Sequence, residues 1–231
     1  MAPTLLPRAV DTLFLDAGGV LCHPSWKRVS AALAHHGVQV SAAALAAAEP
    51  RATHDIDKAT VITATDDRSR GWLYFDLALR YAGVEPSPAT DAALAELREY
   101  HRTENLWEHV EDDVVPALRA LRDRDLTLVV VSNANGRLRH LFDRLDLSRW
   151  FDHMLDSHDW GVEKPHPDLF RHALAQSGAA ADRTIHVGDL YHVDVMGARS
   201  AGLHGAILVD VANLYPDADC PRVKTIAELV G

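Results

Sequence analysis

Polar side chains that can act as nucleophiles, cation ligands or hydrogen-bond donors follow short apolar runs at several places in the chain. Asp16 follows the run 12–15, Ser132 and Asn133 follow a second run, and Asp189 follows a third. A carboxylate can act as a nucleophile or as a ligand for a hard cation, whereas a hydroxyl or an amide can donate hydrogen bonds to anionic oxygens. We therefore predict that these side chains belong to one site.

Five short apolar runs alternate with helical patterns along most of the chain. The runs cover residues 12–15, 126–131, 153–155, 184–187 and 206–209. The helical patterns cover residues 114–122, 137–145, 167–176 and 195–201. Alternating strands and helices predict an α/β fold with a doubly wound parallel sheet. In such a sheet the carboxyl ends of the strands line one crevice, so the polar residues that follow the runs should meet there.

The stretch between the first run and residue 114 has helical patterns and no convincing strand. Ser41 is positioned to cap an alanine-rich helix over 42–48, and Ser87 or Thr90 is positioned to cap another over 92–100. Alanine favours helix, which strengthens this interpretation. The sequence therefore predicts an all-helical insert after the first strand.

The composition is that of a soluble globular protein, and it limits the classes of partner. Of 231 residues, 48% are apolar and 24% are charged. No apolar run approaches the roughly 20 residues that cross a bilayer, and the net charge of −10 argues against nonspecific binding to nucleic acid. The two cysteines lack metal-ligand spacing and residues 1–10 lack the features of a signal peptide, so we expect a cytoplasmic protein. The composition is compatible with a monomer or a homodimer.

Four segments, in chain order, resemble the signature motifs of the haloacid dehalogenase superfamily. They are LFLDAGGVL, VVVSNANG, EKPHPDLF and IHVGDLYHVD. The resemblance implies a Rossmann-like core domain formed by residues 1–22 and 110–231. The insert is similar to the helical cap of one subgroup of the superfamily. This implies a cap domain over residues 23–109 that closes over the site and contacts the substrate.

The resemblance assigns chemical roles to residues of the first three motifs. It implies that Asp16 is the nucleophile, which attacks phosphorus and forms an aspartyl-phosphate. It also implies that the Gly18 carbonyl is a ligand for Mg²⁺, and that Ser132 and the Asn133 amide donate hydrogen bonds to phosphoryl oxygens. Lys164 resembles the family's lysine that neutralises the charge shared by nucleophile and phosphate.

The fourth motif, GDLYHVD, favours one branch of the superfamily. The resemblance implies that Asp189 binds Mg²⁺ together with Asp16, while Asp194 steadies the metal's waters or Lys164. Dehalogenases proper need no metal and generally carry a different arrangement here. We therefore expect a Mg²⁺-dependent hydrolase that acts on a small phosphorylated metabolite.

Gly18 departs from the family pattern. Phosphatases of the family usually carry a second Asp two residues after the nucleophile, which protonates the leaving group and then activates water. Positioned proton transfer contributes roughly 10² to 10⁴ in rate, so its loss predicts a slow phosphatase. His23 is the nearest candidate for a substitute acid and base, since an imidazole titrates close to neutral pH.

Two other functions stay open. One is hydrolysis of a carbon–halogen or carbon–phosphorus bond. Phosphonate-cleaving relatives also lack the second Asp and use a lysine of the insert, for which Lys58 is a candidate. The other is a catalytically weakened protein that keeps the phosphate site and acts by binding its ligand, an interpretation that rests on Gly18. The presence of Asp16, Lys164 and Asp189 argues against it.

Overall fold

Six short strands form one sheet in the computed structural model, which describes residues 5–230. They are β1 (Thr12–Leu15), β2 (Thr127–Ser132), β3 (His153–Asp156), β4 (Thr184–Gly188), β5 (Gly205–Val209) and β6 (Arg222–Val223). All neighbours pair in parallel, in the order β3-β2-β1-β4-β5-β6. The chain reverses its direction of travel across the sheet between β1 and β4, which makes their carboxyl ends the expected place for a site. The predicted doubly wound α/β class is confirmed.

Ten α-helices are present among the described residues. They are α1 (Trp26–His35), α2 (Ala42–Ile56), α3 (Ala59–Ala64), α4 (Asp67–Tyr81), α5 (Pro88–Thr103), α6 (Val114–Arg122), α7 (Leu138–Arg144), α8 (Ser157–Trp160), α9 (Pro167–Ser177) and α10 (Met196–Ser200). A π-helical turn, Tyr191–Val195, leads into α10. Among the described residues, no helix has the length and apolar character that a bilayer crossing needs.

The chain divides into two units. One consists of Met1–Cys22 and Val110–Gly231 and contains the sheet, and the other is the continuous segment His23–His109 with α1–α5. We name them the α/β unit and the helical unit. The chain leaves the sheet once, after β1, and returns before α6.

The sheet is buried on both faces, which explains why its strands are almost continuously apolar. On one face Phe14, Val129 and Leu155 from three adjacent strands form a buried cluster with Leu169 and Phe170 of α9. Phe14 lies opposite Val129 in the register of β1 and β2. The start of α9, three residues after Lys164, is therefore anchored against the central strands.

In the helical unit α1 packs against α5, and α2 packs against α4. Ser41 caps α2 as predicted. Ser87 caps α5 in a capping box with Thr90, so Ser87 is the N-cap and Thr90 supports it. The first and last residues of the unit, His23 and His109, exchange two backbone hydrogen bonds of 2.7 and 3.0 Å.

Two elements differ from the sequence prediction. Strand β6 was not predicted, because a strand of two residues leaves no period-2 pattern to detect. The helix predicted over 195–201 is divided into the π-helical turn and α10. Turns of this kind occur frequently at functional sites, and this one contains Asp194.

Phe170 is fully buried against the sheet. We predict that Phe170→Ala lowers the free energy of unfolding by about 3–5 kcal/mol, because it removes buried apolar surface and leaves a cavity. Urea denaturation measures the change. Val211, which is 53% exposed, provides the control. Val211→Ala should change stability by about 0.5 kcal/mol or less, and equal effects of the two substitutions would contradict the packing described.

Candidate active site

Asp16 lies immediately after β1, the strand between β2 and β4. Its backbone N–H donates a hydrogen bond to the Val187 carbonyl at 2.9 Å, which fixes the residue against β4. The side chain is buried, and its Oδ1 accepts a hydrogen bond from the Ala17 N–H at 2.7 Å. Backbone contacts thus hold the Asp16 carboxylate at the carboxyl end of the sheet.

Lys164 is fully buried and contacts two carboxylates. Its Nζ lies 2.8 Å from Asp16 Oδ2 and 2.8 Å from Asp194 Oδ1. Burial by itself lowers the pKa of Lys164, but the charges of Asp16 and Asp194 outweigh burial and raise the pKa above its usual value. The ammonium therefore stays charged and neutralises part of the charge on Asp16.

The side chain of Asn133 holds the backbone of Lys164 through two hydrogen bonds. Its Oδ1 accepts from the Lys164 N–H at 2.7 Å, and its Nδ2 donates to the Lys164 carbonyl at 3.0 Å. Asn133 follows β2 directly, so it connects the end of this strand to the segment between α8 and α9 that contains Lys164. Because the side chain is engaged in this way, the backbone N–H of Asn133 is the group left for the predicted phosphate contact.

Ser132 is the last residue of β2 and is buried. Since β1 and β2 are neighbours, Ser132 and Asp16 stand at the ends of adjacent strands. The Ser132 hydroxyl donates to the Asn133 carbonyl over a long distance of 3.4 Å. So weak a hydrogen bond leaves the hydroxyl able to turn towards a bound anion.

Asp194 is buried and accepts three hydrogen bonds. Lys164 Nζ and His186 Nε2 each lie 2.8 Å from its Oδ1, and the Leu190 N–H donates to its Oδ2 at 3.0 Å. Burial opposes ionisation of Asp194, but the charge of Lys164 and the hydrogen bond from His186 lower its pKa below the usual range. Asp194 is therefore an ionised group that orients Lys164.

His186 is a residue of the site that the sequence analysis missed. It lies within β4 and is fully buried. Its ring packs edge-on against the Phe170 ring, with the two ring centres 5.0 Å apart. A carboxylate can only accept, so the hydrogen bond to Asp194 places the proton on Nε2. Nδ1 has no hydrogen-bond partner among residues 5–230. A histidine inside the apolar run 184–187 was the signal in the sequence that could have found it.

Two glycines allow the carboxylates of the fourth motif to approach the backbone closely. A Cβ on Gly19 would lie 2.1 Å from Asp189 Oδ2, and a Cβ on Gly188 would lie 2.1 Å from Asp194 Cγ. Gly19 also has a φ of 70°, a backbone conformation that residues with a side chain rarely adopt. A side chain at Gly19 or at Gly188 would therefore displace a carboxylate of the site.

The site has the donors and the charge to hold a divalent cation. Asp16, Asp189 and Asp194 each offer a carboxylate oxygen, and these atoms lie within 4.8 Å of one another. Three carboxylates against the single ammonium of Lys164 leave an excess of two negative charges. Hard cations such as Mg²⁺ take oxygen ligands of this type. Asp194 already accepts three hydrogen bonds, which engage both of its oxygens.

The electrostatics of Asp16 support the same conclusion. Burial raises the pKa of Asp16, the charge of Asp194 raises it further, and Lys164 opposes both. A nucleophilic carboxylate must be ionised. A cation beside Asp16 would favour the ionised form, so the residues present fit a bound divalent ion.

The remaining predicted residues are placed as follows. Gly18 forms an isolated β-bridge and is not among the positive-φ glycines of residues 5–230. His23 belongs to the helical unit, where its Nδ1 lies 2.9 Å from Glu49 Oε1. Lys58 is exposed, with its Nζ 2.7 Å from Asp55 Oδ1. His23, the candidate for proton transfer, and Lys58, the candidate for imine formation, thus each have a carboxylate partner inside the helical unit.

A family model described as haloacid dehalogenase-like hydrolase matches residues 10–202. The chain belongs to this family. Glyceraldehyde 3-phosphate phosphatase of Methanopyrus kandleri is 33% identical over 131 residues, which are 56% of this chain and 55% of that protein. The chain spans about half the length of the curated relatives it matches.

Solved structures of haloacid dehalogenase-type proteins share the fold. The hydrolase YfnB of Bacillus subtilis, bound to magnesium, has a TM-score of 0.67 at 16% identity, covering 95% of this chain and 96% of that one. The 2-haloacid dehalogenase of Pseudomonas syringae pv. Tomato DC3000 has a TM-score of 0.57 at 25% identity, with the same coverage of 95% and 96%. The structural neighbours thus include a magnesium-bound hydrolase and a 2-haloacid dehalogenase.

Replacing Asp189 should remove the proposed cation ligand of this haloacid dehalogenase-like hydrolase while leaving its fold intact. We predict that Asp189→Asn weakens Mg²⁺ binding at least about tenfold, because a carboxylate ligand is lost. Isothermal titration calorimetry measures the affinity. An unchanged affinity would show that the ion binds elsewhere.

Gly19 and Gly18 form a matched pair for the same measurement. Gly19→Ala should also weaken Mg²⁺ binding, because its Cβ would overlap the Asp189 carboxylate. Gly18→Ala, one residue earlier and without a positive φ, should leave Mg²⁺ affinity within about twofold of the original, a change of roughly 0.4 kcal/mol. Equal effects at both positions would contradict the close approach of Gly19 to Asp189.

His186 should act on turnover through Asp194 and Lys164. We predict that His186→Leu lowers kcat by roughly 10- to 100-fold, because Asp194 loses a donor and holds Lys164 less firmly. His186→Gln, which retains a donor, should recover part of the rate. Circular dichroism establishes that both variants fold. Full activity of folded His186→Leu would exclude this role.

Proposed function

We propose that this haloacid dehalogenase-like hydrolase is a Mg²⁺-dependent phosphatase of a small phosphorylated metabolite, acting through an aspartyl-phosphate on Asp16. The observation that carries the proposal is the 2.8 Å contact between Asp16 Oδ2 and Lys164 Nζ, at a site whose excess negative charge fits a divalent cation. Support comes from the similarity to glyceraldehyde 3-phosphate phosphatase of Methanopyrus kandleri.

In the first half-reaction an Asp16 carboxylate oxygen attacks phosphorus, and the bond from phosphorus to the leaving oxygen breaks. Lys164 holds the carboxylate in the attacking position and offsets negative charge as the phosphoryl group approaches. The Ser132 hydroxyl and the backbone N–H of Asn133 donate to the phosphoryl oxygens. Mg²⁺ held by Asp16, Asp189 and the Gly18 carbonyl would neutralise phosphoryl charge.

In the second half-reaction water attacks the phosphorus of the aspartyl-phosphate, which releases inorganic phosphate and regenerates the Asp16 carboxylate. Gly18 supplies no acid for the first half-reaction and no base for the second. Leaving groups that are stable as anions need little protonation, so aryl and acyl phosphates should react faster than alkyl phosphates. Hydrolysis of the intermediate should then limit the rate.

Dehalogenation is a second candidate, favoured by the structural similarity to the 2-haloacid dehalogenase of Pseudomonas syringae. There the carboxylate of Asp16 would attack carbon, halide would leave without protonation, and water would cleave the resulting ester. Because halide needs no proton, the lack of an acid at Gly18 would not slow this reaction. A test with haloacids and phosphate esters, each with Mg²⁺ and with a chelator, separates the two candidates.

Rapid mixing tests the phosphatase proposal directly. With an aryl phosphate and Mg²⁺ we predict a burst of leaving group, one per active site, followed by slower turnover. Gly18→Asp should abolish the burst and raise the steady-state rate by about 10² or more, because the carboxylate supplies the missing acid and base. Gly18 has no positive φ, so the substitution should not strain the backbone.

Gly18→Ala is the matched control, since it adds a Cβ without a carboxyl group and should keep the burst. Hydrolysis of alkyl phosphates at ordinary phosphatase rates without a burst would mean that another group supplies the proton, and His23→Ala would then test the imidazole. Binding of phosphate without turnover of any ester would contradict the enzymatic proposal and favour a ligand-binding role.

A further inference from the structure

We propose that His35, His36 and Glu96 form a second cation site, in the helical unit, for a first-row transition metal such as Zn²⁺. Two imidazole nitrogens and one carboxylate oxygen converge there, with their ligand atoms within 4.8 Å of one another. These are nitrogen and oxygen donors of the kind that Zn²⁺ prefers. The site is separate from the carboxylates at the end of the sheet and does not depend on the proposed phosphatase function.

Both imidazoles contact the same oxygen atom. His35 Nδ1 lies 2.9 Å from Glu96 Oε2, and His36 Nε2 lies 3.0 Å from this atom. Ligands about 2.0–2.1 Å from a tetrahedral Zn²⁺ are about 3.3 Å apart, so these two spacings need to open by only a few tenths of an ångström. A metal ion would replace the protons that the two imidazoles now donate to Glu96.

The backbone around the histidines is fixed. His35 ends α1 and His36 is its C-cap, with the His36 N–H donating to the Leu33 carbonyl at 3.1 Å. Gly37 follows with a φ of 83°, which lets the chain turn away from the helix. The carbonyl end of α1 carries partial negative charge, which favours a cation at this position.

The two sides of the site come from helices that already pack together. Glu96 lies on α5, and α5 packs against α1. A second link between the same helices is Arg28 of α1, whose guanidinium lies 3.7 Å from the centre of the Tyr100 ring on α5. The ligands of the site are therefore preorganised, and a bound ion would cross-link α1 to α5.

The site is open to ions from solvent and incomplete by itself. The His35 side chain is 72% exposed, Glu96 is 47% exposed and His36 is 28% exposed. Three protein ligands leave the fourth position of a tetrahedral ion to water. Open sites of this kind bind metal exchangeably, so the expected behaviour is reversible binding of one ion.

Calorimetric titration of the full chain, without a histidine tag, with Zn²⁺ tests the proposal. An Asp189→Asn background removes one of the three sheet-end carboxylates and so weakens the binding of Zn²⁺ there. We expect one equivalent of Zn²⁺ to bind in that background. Glu96→Gln and His36→Gln should each weaken its binding at least about tenfold, because a ligand is lost. Glu99→Gln on the same helix and His54→Gln elsewhere in the unit are the matched controls and should bind as before.

Thermal unfolding provides a second readout, because an ion that binds the folded chain raises the melting temperature. Zn²⁺ should raise the melting temperature of the Asp189→Asn protein and of both controls, and not that of Glu96→Gln. If His36→Gln fails to fold, His35→Gln at the more exposed position replaces it. The proposal is wrong if Zn²⁺ does not bind in the Asp189→Asn background, or if the Glu96 variant and the Glu99 control lose affinity equally.

Discussion

The buried ammonium of Lys164, held between Asp16 and Asp194, is the contact on which the rest of the α/β unit depends. Removing a charge from water is costly and is tolerated when partners of opposite charge surround it. The sheet must therefore deliver one carboxylate from the end of β1 and another from beyond β4 to the same nitrogen. Asn133, which follows β2 directly, fixes the backbone of Lys164 through two hydrogen bonds. Three neighbouring strands are in this way connected to a single residue.

Residues that lack a side chain shape the site as much as the charged ones do. The Asp189 carboxylate occupies the space beside Gly19, and the Asp194 carboxylate occupies the space beside Gly188. Crowding like charges in this manner opposes folding, because each carboxylate disfavours ionisation of its neighbours. The apolar packing of the sheet must offset that repulsion. The packing of the sheet thus stabilises a cluster of negative charges that favours a bound cation.

The sequence predicted the class of fold and most of the strands because buried parallel strands leave apolar runs with polar ends. It grouped Asp16, Ser132, Asn133 and Asp189 because each follows an apolar run. Lys164 and Asp194 were added only through the family resemblance, since neither lies directly after such a run. His186 escaped because a histidine within an apolar strand resembles any core residue until its partner Asp194 is located. The π-helical turn was not predicted either, because its period differs from that of an α-helix over one turn only.

The backbone pairing of His23 with His109 gives the helical unit the topology of a long hairpin whose tip is a folded bundle. Closing a loop of this length would normally carry an entropic cost that rises with the logarithm of its length. That cost grows by only about 0.6 kcal/mol for each doubling of the loop, and the two hydrogen bonds between His23 and His109 offset part of it. Segments of very different size could therefore occupy this position during evolution without disturbing the order of the strands. The junction, rather than the bundle, is what the sheet has to preserve.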